Sequence, residues 1–126
     1  MNREILFRGW NKKNKRWIEG FYLQNRGQHF VCPDEFATGK TWEDYEVDEE
    51  SIGQYTGCKD KNGRKIFEGD ILKVYCYGIF GTVKFGDSRF YIDDDGTGQP
   101  KAPLSNMLNT YIYRCKVVGN AYEQNQ

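Results

Sequence analysis

The sequence holds a single histidine, His29, in 126 residues, and only three prolines. One histidine leaves a thin inventory for acid–base catalysis. The serines, Ser51, Ser88 and Ser105, lie in no GxSxG elbow. No GK[ST] follows the glycines between Gly78 and Gly86, so there is no phosphate-binding P-loop. The cysteines, Cys32, Cys58, Cys76 and Cys115, form no CxxC pair, and His29 with Cys32 would need two more distant ligands to hold zinc. Asp93-Asp94-Asp95-Gly96 lacks the glutamate and spacing of a calcium loop. The expectation is therefore no enzyme, no metal and no cofactor. No apolar run approaches the roughly 18 residues of a membrane-crossing helix, so no membrane partner is expected. The start, MNREILFRGWNKKNK, lacks the apolar core and cleavage site of a signal peptide, which predicts a cytoplasmic protein. There is no charge excess either: 18 Lys and Arg balance 18 Asp and Glu. That excludes a wholesale basic nucleic-acid binder but leaves room for a local patch.

What the chain has is aromatic bulk, with three Trp, nine Tyr and eight Phe, and 14 glycines. This composition favours strands joined by tight turns around an aromatic core. Glu4–Arg8 and Trp17–Leu23 read as strands, with Trp10 and Trp17 bracketing a polar turn that carries Asn11 and Asn14. Asn62-Gly63 is the strongest local signal for a two-residue hairpin turn. Gly81–Phe85 and Tyr111–Val118 alternate apolar and polar residues, as half-buried strands do. Asp93–Pro103 is a loop by composition, and Leu104–Leu108 reads as one helical turn. Thr41 could cap a helix up to Glu50, although the apolar spacing there (Trp42, Tyr45, Val47) is poor. The reading is mainly β: an N-terminal β-hairpin subdomain with an acidic connection over residues 1–51, then an SH3-like small β-barrel over 52–126.

Charge is segregated along the chain. Residues 1–30 hold seven cations against two carboxylates, and residues 33–50 hold eight carboxylates against one lysine. Arg8, Trp10, Lys12, Lys13, Lys15, Arg16 and Trp17 interleave cations with aromatics, the combination that holds single-stranded nucleic acid. The same residues would equally form a soluble tip above a cross-strand tryptophan pair. Glu43, Asp44, Glu46 and Asp48 would repel phosphate beside that hairpin, but could meet the basic hairpin of a neighbouring subunit.

Three stretches carry a family resemblance: Arg3–Trp10 with Asn14-Lys15-Arg16, then Gln54–Leu72 (QYTGCKDKNGRKIFEGDIL), and finally Val117–Glu123. Together they resemble the YopX family of phage and prophage proteins. Residues 33–50 carry no part of the resemblance, and Cys58 stands where an apolar residue such as leucine is expected. The resemblance implies a phage-derived protein of the bacterial cytoplasm, an SH3-like barrel and self-assembly. It attaches no catalytic residues to the motifs. The expected role is a non-enzymatic, homo-oligomeric interaction module with a host or phage protein partner. The alternative is nucleic-acid binding through the Trp10–Trp17 hairpin.

Overall fold

The computed structural model describes residues 3–35, 37–74, 79–94, 96–99, 103–104 and 115–124. The chain divides into two compact units, Met1–Tyr55 and Thr56–Gln126. Both are built from antiparallel strands, so the fold is mainly β.

In the first unit, β1 (Phe7–Asn11), β2 (Arg16–Asn25) and β3 (Gln28–Cys32) form a meander. β2 changes partner halfway along. Its first half pairs with β1, from Asn11↔Arg16 to Phe7↔Gly20. Its second half pairs with β3, from Phe21↔Cys32 to Asn25↔Gln28. The core of this unit is Ile18, Phe30, Val31, Cys32, Tyr45 and Val47, with Ile52 packed against it. Burial of each large apolar side chain is worth about 1.5–3 kcal/mol.

The helix expected over Thr41–Glu50 does not form. Short 3-10 turns occupy Trp42–Asp44 and Glu49–Ser51, and Glu46 between them makes a β-bridge to Phe30. Val31 N–H donates to Tyr45 O at 3.0 Å and Val47 N–H donates to His29 O at 2.9 Å. The backbone of this acidic segment therefore bonds to β3, and its apolar residues Tyr45 and Val47 enter the core. A helix would forfeit both. The segment also covers a sheet edge that would otherwise invite pairing with another chain.

β4 (Gly53–Lys59) runs from one unit to the next. Gly53 and Gln54 pair with Arg8 and Phe7, and the strand lies beside β5 (Lys65–Phe67). The second unit continues with β6 (Asp70–Val74), β7 (Ile79–Gly86), β8 (Arg89–Asp93) and β9 (Cys115–Asn120). These four form a sheet in the order β8-β7-β6-β9, and a helical turn, Ala121–Gln124, follows. Among the described residues this sheet is open, with no pairing that closes it into a barrel. Its core is Ile66, Leu72, Val74, Val83, Ile92, Leu104, Cys115 and Val117. Tyr75–Tyr77, Ser105–Leu108 and Tyr111–Arg114, assigned from sequence to strands and a helical turn, lie outside the described residues.

The Asn62-Gly63 turn is longer than its sequence signal implies. Gly63 takes φ +79°, while Asn62 does not enter the left-handed region. A two-residue turn of the expected type needs both. Here the connection runs from Asp60 to Arg64 and the Asp60 carboxylate organises it. Oδ1 accepts from the Asn62 and Arg64 N–H groups at 2.9 Å each, and Oδ2 accepts from Val117 N–H at 3.0 Å. Asp70 does a similar service one turn later, accepting from Phe67 N–H at 2.8 Å.

Candidate functional site

The tip of the β1–β2 hairpin and the acidic segment come together within the first unit. Asn11 is the pivot and is 1% exposed. Its Oδ1 accepts from Asn14 N–H at 2.6 Å, which shapes the turn. Its Nδ2 donates to Glu43 O at 3.2 Å and Glu46 O at 2.8 Å, which docks the acidic segment. Trp10 adds two bonds: its N–H donates to Ser51 Oγ at 2.8 Å, and its carbonyl accepts from Asp48 N–H at 3.0 Å.

Charge reinforces this contact. Lys12 Nζ lies 3.3 Å from Asp48, and Lys13 Nζ lies 3.3 Å from Asp44 and 3.7 Å from Glu43. Asp44 is buried and also accepts from Thr41 N–H and Asn14 Nδ2, each at 3.0 Å. The Thr41 N–H, then the Asn14 amide and, more weakly, Lys13 hold its carboxyl well below the usual range, against the opposing effect of burial. The lysines are half-exposed or more, so each ion pair contributes only about 0–1 kcal/mol. Asn11 matters more, because removing it strands buried backbone groups. Asn11→Ala is expected to cost about 2–3 kcal/mol in chemical denaturation. Lys13→Ala is expected to cost less than about 1 kcal/mol.

Beside this contact is a cleft of about 400 Å³, walled by the hairpin tip, the β2–β3 turn and the acidic segment. His29 forms part of its lining and is 8% exposed. Its ring stacks on Tyr22 with centroids 5.8 Å apart. Nδ1 shares a hydrogen bond with the Tyr22 hydroxyl at 2.5 Å, and Nε2 lies 3.5 Å from Glu49 Oε2. Both ring nitrogens thus face protein groups. Cys32, three residues on, is in the core, where burial pushes its thiol up. No helix among the described residues is long and apolar enough to cross a membrane.

The residues expected to hold nucleic acid are dispersed in their roles. Arg8 is buried, with its guanidinium 4.8 Å over the Trp17 ring. Trp10 and Trp17 are in register and meet edge to face at 5.5 Å. Lys12 and Lys13 are paired with carboxylates, while Lys15 and Arg16 are exposed. Glu43, Asp44 and Asp48, expected to face a neighbouring subunit's hairpin, contact this chain's own. Glu46 lies opposite Phe30, with Gln28 Nε2 at 3.5 Å. Sequence reasoning missed Asn11 as the dock, Ser51 as its neighbour and Tyr22 as the partner of His29. Only Asn11 had a visible signal, since an asparagine three residues before another in a polar turn is placed to bond its backbone.

No curated protein matches the chain in sequence. Among solved structures, the crystal structure of protein EF1440 from Enterococcus faecalis is similar, with 25% identity and a TM-score of 0.61. That match covers 99% of this chain and 98% of the other. Residues 6–126 match the YopX protein family, so nearly the whole chain, both units included, is accounted for by one family. The chain belongs to the YopX family.

Proposed function

We propose that the chain is a non-enzymatic interaction module of phage or prophage provenance, working in the bacterial cytoplasm and assembling with copies of itself. The observation that carries this reading is the outer half of β2. Phe21 and Leu23 are two residues apart on one face of the strand and are 52% and 37% exposed. Their half of the strand pairs with β3 beyond the point where the β1 pairing stops. An exposed apolar pair on one strand face is suited to side-chain contact with a second subunit. The charges of the hairpin tip support the same placement, because Lys12, Lys13, Asp44 and Asp48 already meet within one chain. Assembly then rests on this apolar pair and a host or phage partner on other surfaces.

Light scattering after size exclusion tests this reading. The protein is expected to run as a multiple of its 14.8 kDa chain mass. Phe21→Glu with Leu23→Lys should reduce it to a single chain while leaving the melting temperature within a few degrees, as exposed sites allow. A wild-type mass of one chain at tens of micromolar would sink the reading.

A further inference from the structure

A row of side chains crosses the outer face of the second unit's sheet. Lys116 on β9 is in register with Lys73 on β6, and Lys73 is in register with Phe80 on β7. Lys73 Nζ sits 5.6 Å from the Phe80 ring centroid, so the two share one face. Phe80 is 55% exposed, the most open large apolar residue among those described, and both lysines are partly exposed. The inner face at this level is apolar, with Leu72, Val74, Cys115 and Val117 buried in the core.

One of these pairings is costly taken by itself, and one side chain is left half exposed. Like charges directly opposite each other in a sheet are unfavourable, and Lys73 and Lys116 are such a pair. A phenylalanine half in water gains little from burial. Both costs become gains if a polyanion carrying flat apolar rings lies on the face. A phosphate between the lysines would turn their repulsion into a shared attraction, and a base would cover the Phe80 ring. A carboxylate on the same face, Asp93, is 5% exposed and is bonded to Lys84 Nζ at 2.6 Å. It therefore adds little repulsion.

We propose that Lys73, Phe80 and Lys116 form a binding surface for single-stranded nucleic acid, with Phe80 as the stacking platform and the lysines on the phosphates. An acidic protein would satisfy the lysines but would not need an aromatic platform, which is why the polynucleotide is favoured.

Fluorescence anisotropy of the full chain with a short, labelled, mixed-sequence single strand at low salt tests the proposal. Wild-type protein should bind, and added salt should weaken binding. Phe80→Ala should weaken it roughly 5- to 150-fold, as loss of one stacked base does, while Phe80→Tyr should retain it. Lys73→Glu with Lys116→Glu should lower the salt slope by about 0.7 for each phosphate that is no longer neutralised. Lys15→Glu with Arg16→Glu should change little. Melting curves confirm that each variant is folded, and light scattering on the same samples reads assembly separately. The proposal is overturned if wild-type protein shows no salt-sensitive binding, if Phe80→Ala and Phe80→Tyr bind alike, or if the Lys15 and Arg16 variant alone abolishes binding.

Discussion

Asp60→Ala is expected to destabilise the second unit by about 3–5 kcal/mol, among the largest single-residue effects in the molecule. The carboxylate is 5% exposed and bonds three backbone N–H groups, two in its own turn and one on β9. Alanine leaves all three donors without their acceptor in a place water barely reaches. The reach across sequence also matters, since Asp60 and Val117 are 57 residues apart and this bond ties the β4–β5 turn to the last strand. Lys61 N–H reinforces the tie by donating to Cys115 O at 3.0 Å. Asp60→Asn should cost less, about 1–3 kcal/mol, because one oxygen survives as an acceptor while an amide group faces a donor. The two chemistries separate further in acid. Burial pushes the Asp60 carboxyl up, but the Val117, Arg64 and Asn62 N–H groups outweigh it and hold the carboxyl below its ordinary value. A carboxyl depressed in the folded state stabilises fully above its unfolded value, near pH 4, and loses that contribution as pH falls through the folded value. The stability gap between wild type and Asp60→Asn should therefore be widest near neutrality and narrow below about pH 4. Urea titrations at several pH values measure it. A gap independent of pH would show that the carboxylate charge contributes nothing.

Gly20→Ala is expected to unfold or severely loosen the first unit, at about 3 kcal/mol or more. An added Cβ would lie 1.9 Å from Cys32 O, 2.4 Å from Cys32 C and 2.8 Å from Pro33 N. All three are backbone atoms, so no side chain can rotate out of the way. The close approach occurs where β2 passes from its β1 partner to its β3 partner. Relief would require β2 and β3 to separate, at the cost of their ladder bonds. Gly119→Ala is the control, since nothing lies within 4 Å of its would-be Cβ. Hydrogen exchange should show protection lost across β1–β3 in Gly20→Ala and retained in Gly119→Ala. Equal stability of the two variants would refute the steric reading.

Much of the β architecture is legible residue by residue. Val83 is buried as the alternation of its strand implies, while Phe85, expected on the same inner face, is 54% exposed; Cys115 and Val117 are buried as their spacing implies. The tryptophans flank one hairpin and pair across it. The acidic segment was harder. Its charge stood out, but charge alone does not say whether a partner lies in the same chain or another, and Lys12 and Lys13 reach their carboxylates only once β1 and β2 have formed. Its conformation was hidden for a related reason: local spacing weighs helix against loop, while the outcome was set by bonds to His29 and Val31 on β3. Asp60 stands between Lys59 and Lys61 just before Asn62-Gly63, a setting that suggests no more than a turn residue. Nothing near it in sequence reveals Val117, its third donor. The His29 cleft was equally opaque, because Tyr22 and Glu49 flank the ring from opposite sides in sequence.

The strand order β8-β7-β6-β9 also sets a timetable. β6 has β7 beside it almost as soon as both are made, but its other flank waits for β9. During synthesis, at roughly 5–20 residues per second, that flank stands open for several seconds. The β1–β2–β3 meander and its pairing with Gly53 and Gln54, by contrast, lie within the first 55 residues. The N-terminal unit can therefore be finished while the second is still half a sheet. The interval before β9 emerges is when the chain is most exposed to a protease or to a wrong neighbour.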